Sequence, residues 1–223
     1  MCRLLSPVLC LVLLAPVERV LADDVTGHGP LHILPDEKRI ELLPAGTLFL
    51  LATPEVERFL DALDGEPPDW PTVYGHGHHD PGHDDRLFAL NRERDAKRTG
   101  NPALSQLLTF AWIGELSRFD PVLGGYSVSL GPKFISTRWG IVRFKPEEAP
   151  GNLLVIPDPT ATDYLSAALQ QTGTVEIEVL MTGRLIPDES LVYDFSHAEE
   201  GQGLIMPVVR VERVDFLHHP PRQ

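Results

Sequence analysis

The segment Val175-Glu176-Ile177-Glu178-Val179-Leu180-Met181 decides the fold class of this chain. Its odd-numbered apolar residues alternate with two glutamates, which is the pattern of a strand that buries one face and exposes the other. An apolar pattern with helical spacing precedes it over 160–171, and Gly173 ends that helix. The two together predict a helix that leads into a strand, within a fold that is mainly β and belongs to the α+β class.

Four further segments have the composition of strands. They are rich in aromatic and β-branched residues, and turns that contain glycine or proline separate the first three. The predicted strands are 109–119, 125–130, 133–144 and 208–216. In the last of them the apolar residues change face between Glu212 and Arg213, which predicts a β-bulge.

The predicted elements over 104–217 therefore follow the order strand, strand, strand, helix, strand, strand. This order resembles the OB-fold, a five-stranded Greek-key barrel with a helix between its third and fourth strands. The resemblance makes residues 139–144 the third strand and residues 175–183 the fourth. It implies a small β-barrel domain in the C-terminal half of the chain, followed by a tail at 218–223, and a different α+β sheet is the alternative.

A smaller strand-helix element is predicted over 23–64. Residues 39–43 and 47–52 are β-prone and flank a Pro-Ala-Gly turn. Thr53-Pro54 then places a hydroxyl at a helix N-cap and a proline at the first helical position, which predicts a helix over 54–63.

The next region, 65–103, is rich in His, Pro and Gly, and we predict that most of it is loop, with 84–98 as a candidate helix.

Residues 1–22 have the order of regions that an export signal shows. Arg3 precedes an apolar run over 4–17, which is shorter than the about 20 residues that a membrane span needs, and Ala22 offers a small residue at a cleavage point. We expect a periplasmic or secreted protein without stable membrane insertion, with an uncleaved anchor as the alternative. Since Cys2 and Cys10 both lie in this segment, the mature chain has no cysteine and no disulfide.

The charge of the chain limits its partners. The formal net charge is −13, and no cluster of basic residues interrupts the acidic composition. Nucleic-acid binding depends on Lys and Arg that displace counterions from phosphates, so we expect no nucleic-acid partner. A protein or a glycan is the expected kind of partner.

One segment is a candidate metal site. His76, His78, His79, Asp80 and His83 lie within eight residues, and imidazole with carboxylate suits zinc or copper. The spacing superficially resembles the histidine signature of metallo-β-lactamase-type hydrolases, but Pro81 stands where the final histidine belongs, and this family is rejected. The alternatives are a solvated polar loop without a specific role and a pH-responsive segment.

A second candidate site lies on the predicted barrel strands. Trp112, Tyr126 and Trp139, together with Phe144, can stack on a flat ligand if they face outward, and OB-folds bind ligands across their second and third strands. Arg138 and Arg143 flank these aromatics and can receive an anionic group. The alternatives are that the aromatics fill the core and that the arginines pair with the abundant acids.

Three functional hypotheses follow. The first is an exported, non-catalytic binding or interaction module built on an OB-like barrel. The second is an exported metal-binding protein that uses residues 76–85. The third is a hydrolase of unrecognised type, for which Ser196-His197 beside Asp194 is the only fragment that resembles a catalytic triad, and such a triad depends on spatial geometry.

Overall fold

The computed structural model describes residues 27–77, 79–196 and 201–219, so the predicted export signal, His78 and His197 lie outside the described residues. The described strands are β1 (His28–Ile33), β2 (Leu48–Phe49), β3 (Leu108–Asp120), β4 (Gly125–Gly131), β5 (Ile135–Thr137), β6 (Gly140–Val142), β7 (Lys145–Pro146), β8 (Leu154–Ile156), β9 (Val175–Leu185), β10 (Leu191–Phe195) and β11 (Gly203–His218). The described helices are α1 (Thr53–Asp64), α2 (Trp70–Tyr74), α3 (His83–Arg98) and α4 (Pro159–Thr172). Within these ranges, no helix has both the length and the apolar character that a membrane crossing requires.

Six strands form a closed barrel. They are hydrogen-bonded in the order β1-β8-β4-β3-β9-β11, and a parallel pairing of β1 with β11 closes the circle. β1 is also parallel to β8, whereas the remaining neighbours in the barrel are antiparallel. The chain is therefore mainly β with few helices, as predicted, but its barrel has six strands where the sequence predicted five.

Side chains fill the interior of the barrel. Phe110, Leu116 and Val179 are fully buried there. Gly114 on β3 has no space for a larger residue, because a Cβ atom added to it would lie 2.6 Å from Cγ2 of Val179. A barrel packed in this way has a solid core and is not a ligand channel.

A smaller sheet continues from the barrel, and we call it the side sheet. It consists of β5, β6, β10 and the first half of β11, in the order β5-β6-β11-β10. The outer edge of β10 is occupied by Asn91 of α3, whose side-chain amide accepts from the Tyr193 N–H at 2.9 Å and donates to the Tyr193 carbonyl at 2.9 Å. An amide in this position satisfies the backbone groups that an edge strand otherwise exposes.

Buried arginines on α3 connect this sheet to the helices. Arg98 is 1% exposed and donates to the Asp64 carboxylate at 2.6 Å and to the Leu191 carbonyl at 3.1 Å. Tyr193 donates its hydroxyl to the same carboxylate. Arg94 donates to the carbonyls of Asp64 and Glu66, both at 2.9 Å, and so binds the C-terminal end of α1.

The predictions for the first hundred residues are partly correct. The helix over 54–63 is confirmed as α1, although the Thr53 hydroxyl donates to the Ser136 carbonyl at 3.1 Å and does not cap the helix. The strand predicted over 39–43 is wrong, because Asp36–Leu42 is a 3₁₀ helix. This segment covers a small apolar cluster outside the barrel, and Arg39 holds it there through an ion pair with Glu178 at 3.1 Å.

The region 65–103 contains more helix than was predicted. The candidate helix at 84–98 is confirmed as α3, but α2 was not predicted. The Asp69 carboxylate accepts from the Thr72 N–H at 3.3 Å and caps α2 despite the prolines around it. The fully buried positions of α3 are His83, Arg94 and Arg98, and only Leu87 and Leu90, which are partly buried, add apolar contacts with the core.

In the C-terminal half, most predicted elements are present. β3, β4, α4 and β9 agree with prediction, and the register of β11 against β9 shifts between Val211 and Arg213, where the bulge was expected. The third barrel strand was misassigned. Residues 139–144 contribute β6 to the side sheet, and β8 takes the third place.

Candidate functional site

The predicted metal site is divided in the structure. His76 and His79 are exposed, whereas His83 is buried at the start of α3. Among the described residues, which do not include His78, no group of three or more His, Cys, Asp or Glu side chains could hold a metal ion. The zinc or copper site over 76–83 stays a prediction.

Asp80 organises the backbone of this segment. Its carboxylate accepts from Arg86 Nη2 at 2.8 Å, from the Gly82 N–H at 2.9 Å and from the His76 N–H at 3.3 Å. The hydrogen bond from Arg86, followed by those from the two backbone N–H groups, holds the pKa of Asp80 well below its usual range. Both oxygens of the Asp80 carboxylate therefore accept hydrogen bonds that stabilise the turn before α3.

His83 takes part in aromatic packing. Its ring stacks on Phe195 at a centroid distance of 4.0 Å and meets the Tyr74 ring edge-on at 5.3 Å. Its Nδ1 atom lies 3.1 Å from an Asp84 carboxylate oxygen. These contacts give His83 a role in joining α3 to the side sheet.

The predicted aromatic ligand site has most of its rings in the core. Trp139 is 0% exposed and donates its indole N–H to Asp61 at 3.0 Å, and Tyr126 and Phe144 are also buried. Trp112 is half-buried and donates to the Phe144 carbonyl at 3.0 Å. These four rings do not form an exposed stacking surface.

The two arginines predicted beside them differ from each other. Arg138 is bound to α1: its guanidinium donates to Asp61, and its backbone N–H donates to Glu57 at 2.7 Å. Arg143 is half-buried and forms no ion pair in the described part of the chain, and its Nε atom is buried without a hydrogen-bond acceptor. Of these two arginines, Arg143 is the one whose guanidinium has no acid partner among the described residues.

The triad fragment has no exposed nucleophile. Ser196 is buried beside the side sheet, and the Asp194 carboxylate accepts from the Phe195 N–H at 2.8 Å. His197 lies outside the described residues. The geometry of these groups offers no support for a hydrolase.

The sequence interpretation missed an apolar hairpin tip, residues 119–124 between β3 and β4. Val122 is 90% exposed, Leu123 54% and Phe119 44%. A turn between two strands is normally polar, so the apolar pair inside Asp120-Pro121-Val122-Leu123-Gly124 was the signal that could have revealed it.

The hairpin tip is held in one conformation. The Asp120 carboxylate accepts from the Val122 N–H at 2.8 Å and from the Leu123 N–H at 3.2 Å, and the Asp120 carbonyl accepts from the Gly124 N–H at 2.8 Å. Gly124 has a φ of 70°, which suits glycine at the end of such a turn. At the base of the tip, the Phe119 ring packs edge-on against Tyr126 at 5.1 Å.

No protein-family model, curated protein or solved structure matches this chain.

Proposed function

We propose that this chain is an exported, non-catalytic interaction module, in which an OB-like barrel binds a protein partner through the hairpin tip. The observation that carries the proposal is the exposure of Val122 and Leu123 on a turn that Asp120 holds in place. Adjacent exposed apolar side chains of this size are typical of interaction sites on soluble proteins.

The hydrogen bonds within the tip favour burial against a partner. A backbone N–H that leaves water without finding an acceptor costs about 1–3 kcal/mol. The N–H groups of Val122, Leu123 and Gly124 already have acceptors inside the turn, so a partner can cover them without this cost. A preformed turn also loses little conformational entropy on binding.

The shape and chemistry of the tip favour a protein over a glycan. The tip is a convex group of aliphatic side chains with one aromatic ring at its base, and it has few polar groups that could bind sugar hydroxyls. An apolar pocket on a protein surface is the complement of such a group.

The topology supports an OB-like origin for the barrel. If β1 is set aside, the remaining barrel strands and α4 follow the order β3, β4, β8, α4, β9, β11, which is the predicted order of strands and helix. β1 then enters as a sixth strand between β8 and β11. The export signal proposed at 1–22 would deliver this module to the periplasm or to the extracellular space.

A site-specific photo-crosslinker tests the proposal. p-Benzoylphenylalanine at position 122 in the source organism should give one discrete crosslinked protein. The same group at Phe88, which is 64% exposed on α3, is the matched control and should give no such product. Leu123→Ser should remove the crosslink without changing the melting temperature, and identical products from both positions would contradict the proposal.

A further inference from the structure

Arg143 differs from the other arginines of the chain. Where the structure describes an arginine side chain, each one except Arg143 contacts a carboxylate, a backbone carbonyl or an aromatic ring. Among the described residues the Arg143 guanidinium has no such partner, and its Nε atom is buried without an acceptor there. Acids exceed basic residues by 32 to 19 in this chain, so a shortage of carboxylates does not explain the exception.

Arg143 lies on the outer face of the side sheet. Its N–H donates to the Ile205 carbonyl at 2.9 Å, directly after the paired residues Val142 and Ile205. Those two side chains are fully buried on the inner face. Because successive side chains in a strand alternate between faces, Arg143 and Met206 are on the outer face.

The surroundings of Arg143 on this face are apolar and only partly covered. Four half-buried apolar residues share the outer face, and none of them belongs to either hydrophobic cluster formed by the described residues. They are Ile141, Val192, Leu204 and Met206. Asp194 pairs with Leu204 in the same sheet, and its carboxylate accepts from the Phe195 N–H.

We infer that Arg143 and this outer face bind a peptide segment of a partner that carries a carboxylate next to apolar side chains. A guanidinium presents its N–H groups in the planar geometry that a carboxylate matches with two parallel hydrogen bonds. The apolar residues around it suit a ligand whose charge is single and whose neighbouring groups are apolar. Phosphate, with its higher charge, is a poorer match because a net charge of −13 repels it.

The two described methionines provide a test that is independent of the hairpin tip. Met206 lies on the proposed face, whereas Met181 is 0% exposed in the barrel core and serves as the internal reference. The full chain is labelled with ¹³C at the methionine methyl groups and titrated with acetyl-leucyl-leucine. The Met206 signal should shift saturably, and the Met181 signal should stay in place.

Removing either charge should weaken binding. The C-terminal amide of the same peptide should bind at least about tenfold more weakly, since a hydrogen bond to a charged group is lost. Arg143→Gln should reduce the affinity similarly, whereas the matched variant Arg210→Gln, an exposed arginine that already pairs with Glu147, should not.

Three results would overturn the assignment. They are a silent Met206 signal, equal binding of the acid and the amide by the wild-type chain, and displacement of the peptide by inorganic phosphate at equal concentration. The comparison of acid with amide uses only the wild-type chain, so it decides the question even if Arg143→Gln fails to fold.

Discussion

Replacement of Arg98 by methionine gives the sharpest test of what holds the helices to the side sheet. The substitution keeps an unbranched side chain in the space but removes the hydrogen bonds to Asp64 and to the Leu191 carbonyl. The Asp64 side chain is 0% exposed, so water does not reach it when the guanidinium is gone. Among the contacts described, the Asp64 carboxylate would then keep one side-chain donor, the Tyr193 hydroxyl.

The expected loss follows from this burial. Removal of one partner from a buried ion pair costs about 3–5 kcal/mol, because the remaining charge is left without compensation. In a domain of this size each kcal/mol lowers the melting temperature by about 2–4 °C, which gives a decrease of about 6–20 °C. Urea and thermal unfolding, followed by far-UV circular dichroism, measure both quantities.

An exposed ion pair is the matched control. Arg184→Met breaks the pair with Glu212, where both side chains are more than two-fifths exposed, and should cost no more than about 1 kcal/mol. The double variant Arg98→Met with Asp64→Leu should recover part of the lost free energy of unfolding, since it leaves no unpaired charge buried at this site. The reasoning is refuted if Arg98→Met costs no more than the control, or if removal of Asp64 recovers nothing.

Three further predictions concern pH and packing. Burial, followed by the negative charge of the Asp64 carboxylate, raises the pKa of Tyr193, so the folded chain keeps a proton that the unfolded chain loses near pH 10. Stability should therefore fall as pH rises above about 10, and urea midpoints should show a smaller slope with pH in Tyr193→Phe than in the wild-type chain. Gly203→Ala should lower stability by about 1–3 kcal/mol, measured by urea unfolding, because the added Cβ would lie 1.8 Å from Cζ2 of Trp70. The hydrogen bond from Arg86 lowers the pKa of Asp80, so the charged carboxylate stabilises the folded chain above about pH 4 and does so less as pH falls below that value. The difference between the urea midpoints at pH 5 and pH 3 should therefore be smaller in Asp80→Asn than in the wild-type chain.

The sequence predicted elements well where burial follows an apolar pattern. β9 was found because Glu176 and Glu178 interrupt its apolar residues, and the bulge in β11 was found because its apolar residues change face. α3 was only a candidate, because Arg94 and Arg98 occupy the buried positions of its second half and periodicity counts arginine as exposed. β8 was missed because three residues are too few to show alternation.

The candidate site was less accessible to prediction, because a residue type does not specify its partners. Arg138 and Arg143 look equivalent in the sequence, but α1 brings Asp61 to the first and no acid to the second. Trp139 and Tyr126 were candidates for an outward-facing ligand site, with core packing as the alternative, and both are buried.

β11 also couples two parts of the molecule mechanically. Its first residues form the centre of the side sheet, and its last residues form the seam with β1 that closes the barrel. The side sheet therefore cannot unfold without weakening the pairing between β11 and β1 that closes the barrel. A ligand on the side sheet should slow amide hydrogen exchange at Leu217 and at its neighbours in β1, far from any atom it touches.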